Sequence, residues 1–342
     1  MRQGKYVIKF ENKPSVIEWA AVAGKKEGEG PLGNLFDMII DDACNSRVTW
    51  EQKESELQKT SIGILLDKAN VKDTEIDAIY AGDLLNQCSG TGFGIRGYEI
   101  PFSGVYGACS TSVLSMINAA IGVNSGVFNR AVSSTSSHFC SAEKQFRLPL
   151  EYGGQRTPTA QWTVTGAASA LISSEKIAGC PKIEKAIIGK IVDKGVSDAA
   201  NMGAAMAPAA AQTIADFLKD TNTSPEDYDL ILTGDLGKVG TQLLYELLEK
   251  EFSTDISAVH NDAGLMIYYL EEQDVHAGGS GCACCGTVLC TKILSDLKNG
   301  KLGTVLVVAT GALLSAISPL QGESIPSVAH GILLTDGRGK NE

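Results

Sequence analysis

The residue best placed to do chemistry is a cysteine inside a run of small residues. Gly107-Ala108-Cys109-Ser110-Thr111-Ser112 leads into an apolar stretch that stops at Gly126, the pattern of a turn opening a helix. A thiol there lies at the positive end of the helix dipole, among backbone N–H groups that lack intrahelical partners. Both favour a thiolate or a bound anion. The Ser110, Thr111 and Ser112 hydroxyls would add donors. The same string also describes a small cysteine where a helix enters a core, and the residues alone leave both readings standing.

Other reactive side chains need the same double reading. His138 ends a strand-like run and leads into residues 139–159, which carry two prolines and Gly153-Gly154. That segment reads as a long irregular loop, a length that is often functional. His260-Asn261-Asp262 stands just ahead of the apolar run Leu265–Tyr268, as a turn or as part of a site. His276 and His330 read as structural or surface residues. Cys282-Ala283-Cys284-Cys285 invites zinc, but no second cysteine pair lies at finger spacing, and adjacent Cys284 and Cys285 do not easily share one tetrahedral site. These are expected to be core residues, and no metal is expected. Asp83 and Asp235 each follow a glycine in a turn, where an aspartate commonly caps its own backbone.

The elements that must position these groups come in two similar sets. Leu66–Leu84 and Leu218–Leu236, 152 residues apart, match without gaps at seven of nineteen positions, and both end in Gly-Asp-Leu. Each reads as a helix end, a polar connection, a short apolar strand and a turn. Each is followed by a small-residue loop, a helix of about five turns, a glycine stop and a buried strand: the Cys109 loop with strand 130–135, then the Gly281-Cys282 loop with strand 304–310. The order of parts points to a duplication. Strands alternating with helices predict parallel sheets covered on both faces. The Ala- and Met-rich run 199–215 predicts a central helix that lets neighbours approach closely.

Charge narrows the partners. Lys and Arg number 29 against 40 Asp and Glu, a net charge of -11, which disfavours phosphate backbones and polybasic contact with anionic lipid. Nine cysteines, an odd number, and no apolar leader after Met1 fit free thiols in a reducing compartment. The uncharged stretch 302–322 is broken by Gly311, Ser315 and Pro319, so a buried strand is expected there and not a membrane span. A soluble protein is expected.

The duplicated halves, the cysteine loop and the glycine loop Gly278-Gly279-Ser280-Gly281 resemble the thiolase fold. Within it the chain closely resembles the stage V sporulation AD family of spore-forming bacteria. The strings that carry this run the whole length, among them AGDLLNQ (81–87), YGACSTS (106–112), NMGAAMAPAAA (201–211), HNDAGLMIY (260–268) and AGGSGCAC (277–284). The resemblance implies an α/β fold of αβαβα layers, with a first half at 1–178 and a second at 179–342. It also implies departures from the acyl-transferring members. Cys109 holds the nucleophile position, but Gly234 stands where the synthases carry a catalytic histidine, Ser280 where they carry Asn or His, and Ile325 where thiolases carry a second cysteine.

The resemblance therefore implies a catalytically degenerate scaffold that binds dipicolinic acid, pyridine-2,6-dicarboxylate, and takes part in its uptake into the developing spore. The implied ligand set is Cys109, Ser110, His138, Arg147, His260, Asn261, Asp262, Gly279, Ser280 and Asp83. There is no cofactor beyond calcium carried as the dipicolinate chelate, which Asp83 and Asp262 would welcome. Implied partners are the membrane proteins of the same spore operon, with the protein peripheral to the spore inner membrane on its cytoplasmic face. A homodimer is implied through strand 130–135, taken as a sheet edge. Two alternatives stay open: an acyltransferase or thioesterase using Cys109 with His260 or His138 as base, and a purely structural subunit.

Overall fold

The structure is a computed structural model that describes residues 1–40, 48–146 and 156–338. Its main strands are β1 (Ser15–Ala23), β2 (Ala78–Gly82), β3 (Phe102–Gly104), β4 (Arg130–Ser137), β5 (Trp162–Thr163), β6 (Gly166–Ser173), β7 (Lys182–Ile188), β8 (Leu230–Thr233), β9 (His260–Asp262), β10 (Gly279–Ser280), β11 (Thr304–Ala312) and β12 (Ser327–Thr335). Its main helices are α1 (Trp50–Ala69), α2 (Ser89–Ile95), α3 (Thr111–Asn124), α4 (Phe139–Phe146), α5 (Met202–Thr221), α6 (Gly237–Phe252) and α7 (Cys282–Val288). A π-turn at Leu289–Ile293 carries α7 on into α8 (Leu294–Lys298).

The strand order makes the duplication visible. From the middle outward one half runs β1-β6-β4-β2-β3 and the other β7-β12-β11-β8-β9. In both, the outer three strands are mutually parallel and the inner two antiparallel to their neighbours. The halves meet where Ser15 pairs with Lys182. The sheets are thus mixed, not purely parallel as expected. The return from β11 to β12 holds no crossover helix, and a parallel neighbour needs one. The N-terminal segment Val7–Lys9 pairs with β7, so chain ahead of β1 joins the second half's sheet.

Local chemistry accounts for the repeated helices. Thr49 and Gln52 form a capping box at the start of α1, and the Asn201 side chain accepts from Ala204 N–H at the start of α5. The repeat's shared asparagine is Asn70 after α1 and Asn222 after α5. Both are left-handed, with φ of 51° and 52°, a conformation asparagine tolerates better than most residues and that closes a helix.

Packing then produces five layers. Helices α1 and α2 cover the outer face of the first sheet, and α5 and α6 cover the second. Helix α3 touches strands of both sheets and packs on α7 between them. That middle layer packs Met116, Ile117, Val288, Leu289 and Val307 and holds the buried Ser115 and Thr287 hydroxyls in hydrogen bonds, so the α3–α7 pair is buried against two sheets.

Three expectations change. The alanine-rich helix α5 is not central: it lies in an outer layer, although it does permit close approach, with Gly203 against Gly240 of α6. Part of the expected loop 139–159 is helix α4, because Phe139, Ala142, Glu143 and Phe146 fall on one face of a helix; residues 147–155 lie outside the described residues. Strand β4 is no edge, since β2 and β6 flank it; the edge of that half is β3. The uncharged stretch 302–322 holds strand β11, as expected. No helix among the described residues is long and apolar enough to cross a membrane.

Candidate functional site

The turn before α3 holds Cys109 in a fixed pose. Ala108 is left-handed with φ of 49°. Ser110 Oγ donates to Gly107 O at 2.6 Å, and Thr111 Oγ1 donates to Ala108 O at 2.7 Å. The backbone N–H groups of Ser110 and Thr111 bond the same two carbonyls. Those hydroxyls and N–H groups therefore tie the turn and do not point at a ligand. Gly311 on β11 lets the turn come close, for a Cβ there would stand 2.3 Å from Gly107 O.

Cys109 is half-buried on the wall of a narrow cavity of about 40 Å³, shared with Tyr106, Glu143, Phe146, Ser280 and Leu314. That is space for a few waters. Tyr106, Phe146 and Leu314 also line an outer cleft of about 330 Å³. These three side chains separate the cleft from the thiol. No lysine or arginine lines either space among the described residues.

Behind the thiol lies Asp235, which is buried. Its carboxylate accepts from Thr310 Oγ1 at 2.7 Å, Ser280 Oγ at 2.9 Å and Gly281 N–H at 3.0 Å, and Ser280 Oγ, 3.9 Å from Cys109 Sγ, links it to the thiol. Burial pushes the Asp235 carboxyl up from its ordinary range. Burial, then the negative Asp235, push the Cys109 thiol well above the usual cysteine range. A neutral thiol beside a carboxylate is a hydrogen-bond donor and a poor nucleophile. Gly234, at the synthase histidine position, has no room for a base: a Cβ there would stand 3.0 Å from Ala309 Cα and Thr310 N.

The two Gly-Asp turns have diverged. Asp83 does cap its own turn, accepting from Leu85 N–H at 2.7 Å and from Thr91 N–H at 2.6 Å. Asp235 instead holds Ser280, Gly281 and Thr310 behind the thiol that opens the other half's helix. The second half's Cys282 is fully buried, with Glu54 and Asp83 adding to the effect of burial in raising its thiol. Duplication has thus built two thiol–carboxylate neighbourhoods, of which only the one at Cys109 opens to a cavity.

The expected site residues fall into separate places. Ser280 stands 3.9 Å from Cys109 Sγ, and Gly279 precedes it in the β5–β10 ribbon, where Ser280 pairs with Thr163. His138 is buried, its Nδ1 accepting from Cys140 N–H at 3.1 Å, and does not line the cavity. His260 bonds Thr233 Oγ1 and Tyr245 OH, each at 2.9 Å. Burial lowers its pKa to about 4, so the ring is neutral. Asn261 Oδ1 accepts from Asp262 N–H. Asp262 is caged by Thr233 Oγ1 and by the Leu236 and Gly237 N–H groups, with burial holding its pKa up at about 6. His260 and Asp262 bond β8, α6 and the turn after β8, Asp83 caps its own turn, and none of these or Asn261 lines the cavity. Arg147 lies outside the described residues.

Comparison with known proteins fits this geometry into a family. A family model described as stage V sporulation protein AD matches residues 4–335. The stage V sporulation protein AD of Bacillus subtilis (strain 168) is 44% identical over 336 residues, covering 98% of both chains. The chain belongs to the stage V sporulation protein AD family. Solved structures place this family member among thiolase-like folds. Xanthomonas campestris OleA superposes with a TM-score of 0.62 at 14% identity, covering 96% of this chain and 99% of that one. The 3-oxoacyl-[acyl-carrier-protein] synthase III of Aquifex aeolicus VF5 gives 0.56 at 11%, covering 94% and 99%.

Sequence reasoning about this family member missed Asp235, Glu143, Tyr106 and Met202, which also lines the cavity. The signal for Asp235 was present in the repeated Gly-Asp-Leu; treating the two copies alike hid it.

Proposed function

We propose that this sporulation protein is a non-catalytic thiolase-like scaffold that binds dipicolinate at the Cys109 cavity and its outer cleft, and takes part in dipicolinate uptake into the spore. One observation carries the loss of catalysis: Ser280 and, behind it, the buried Asp235 carboxylate back Cys109 where a condensing enzyme needs a base that removes its proton. Supporting the ligand, the outer cleft has the volume of a small-molecule site. The inner cavity admits a ring only when Phe146, Tyr106 and Leu314 part.

The walls present Glu143 and no described cation. They suit a ligand delivered with calcium, whose charge offsets the dianion and whose preference is for hard oxygens. A homodimer through β3 and peripheral attachment to the operon's membrane proteins complete the reading.

Calorimetry with dipicolinate, with and without calcium, tests it beside an acyl-CoA turnover assay. Saturable heat is expected, with no thiol ester consumed. Filling the cleft with Leu314→Trp should weaken binding by at least about tenfold, or 1.4 kcal/mol. Thioester turnover that vanishes in Cys109→Ala would replace this reading with the acyltransferase.

A further inference from the structure

Near the cavity two cations, with Asp274, Glu27 and Glu29 around them, gather on one aromatic ring. Trp162 of β5 is stacked on Phe139 of α4, with centroids 3.8 Å apart and planes 8° from parallel. Lys26 Nζ lies 4.1 Å and Arg156 Cζ 4.6 Å from the Trp162 ring centroid. The ring's negative face attracts both cations, so two like charges converge on one side chain. Desolvation first, and then Arg156, lower the Lys26 pKa, against an opposing pull from Asp274. Backbone contacts pin both bearers: Gln273 Nε2 donates to Lys26 O at 2.7 Å, and Arg156 Nη2 donates to Asp274 O at 2.6 Å. The Asp274 carboxylate, which is exposed, stands 3.9 Å from Arg156.

The cluster adjoins the cavity by sequence and by pairing. Trp162 is followed by Thr163, a cavity-wall residue paired with Ser280. Phe139 lies on the same face of α4 as Ala142, Glu143 and Phe146, all of which line the cavity. Neighbouring side chains on a strand alternate faces, so Thr163 turns inward and Trp162 outward, consistent with a buried Thr163 and a part-exposed Trp162.

We infer that Trp162, Lys26 and Arg156 form an outer capture site for small dicarboxylates, one that loads the Cys109 cleft. The inference rests on the dipicolinate reading above and adds where the ligand is first held. A chain of net charge -11 repels a dianion at long range. A fixed cation pair on the outward side of the cavity wall supplies a local attraction for the dianion. The ring faces are already occupied, so the site reads carboxylates and not the ligand's ring. Isophthalate, with the same carboxylate spacing and no ring nitrogen, should be captured too, and picolinate, with one carboxylate, less well.

Stopped-flow association of dipicolinate, followed by tryptophan emission and assigned with Trp162→Phe, tests this. In Lys26→Gln/Arg156→Gln the association rate should fall roughly three- to tenfold and lose most of its ionic-strength dependence, with dissociation nearly unchanged. The two single variants give the same readout, in smaller steps, if the double variant does not fold. An unchanged association rate in folded variants, while calorimetry still shows dipicolinate binding, overturns the capture site alone. Absence of binding to the wild-type protein overturns both this site and the dipicolinate reading.

Discussion

At the residue scale, the molecule turns on the pair Cys109 and Asp235. In a condensing enzyme the thiol must lose its proton to act; here burial and the charge of Asp235, held behind it by Ser280, oppose thiolate formation. Cys109 should therefore alkylate with iodoacetamide at least about tenfold more slowly at pH 8 than a free thiol, whose pKa is about 8.5. Asp235→Asn removes the charge and keeps the shape, so it should speed alkylation of Cys109, measured by peptide mass spectrometry. Alkylation as fast as a small thiol in the wild-type protein would show the thiolate to be within reach and would reopen catalysis.

At the element scale, the site exists because β11 and the α3 turn come within contact of each other. Gly311→Ala would place a methyl 2.3 Å from Gly107 O and 3.2 Å from Ser110 Oγ. It should destabilise the fold by about 1–3 kcal/mol and shift the Cys109 turn, read as a lowered urea midpoint together with altered Cys109 alkylation. The strands also carry a pH dependence. His330 on β12 accepts from Gly189 N–H at 3.2 Å through Nδ1, and burial lowers its pKa to about 4. Its unfolded pKa is near 6.5, so the native state binds fewer protons between those values. Its contribution is full above pH 6.5 and is lost as pH falls toward 4, by up to about 3 kcal/mol. His330→Gln should flatten that acid limb in urea titrations between pH 7 and pH 5; an unchanged slope would mean that the ring is not the titrating group. Asp262, held up at about 6, acts in the opposite sense, so the comparison between variant and wild type isolates His330.

At the scale of the whole molecule, the exposed edge is where the proposed dimer would form. Strand β3 pairs on one side only, all three of its residues are exposed, and Phe102 and nearby Tyr106 are each 46% exposed. An unpaired edge with apolar side chains invites a second strand, and two-fold pairing of β3 with its copy would join two molecules through one continuous sheet. Sedimentation at micromolar concentration should show a dimer, and Gly104→Pro, which removes an N–H facing away from β2, should shift it toward the 36.0 kDa monomer. A wild-type protein that sediments only as the monomer defeats this reading. Tyr106 belongs both to this edge region and to the cavity wall, so the same experiment with dipicolinate present reports whether assembly and binding are linked.

Much of this protein was legible without coordinates because local rules act locally. The repeat Leu66–Leu84 and Leu218–Leu236 revealed the duplication, since helix ends, caps and short strands are specified by neighbouring residues; the shared Asn70 and Asn222 turned out to be the caps themselves. Cys109 before a helix was read directly from its small-residue turn, with α3 beginning at Thr111. Tertiary structure alone decided what faced that thiol. Asp83 and Asp235 share a motif 152 residues apart, yet one closes its own turn and the other bonds Ser280, Gly281 and Thr310 behind Cys109. His260 and Asp262 looked like site residues by type, but β9 lies at the sheet's far edge, where their polar atoms satisfy neighbouring backbone and hydroxyl groups. A side chain's partner in a duplicated fold is set by which sheet, helix and turn are brought together in space, and no local pattern encodes that choice.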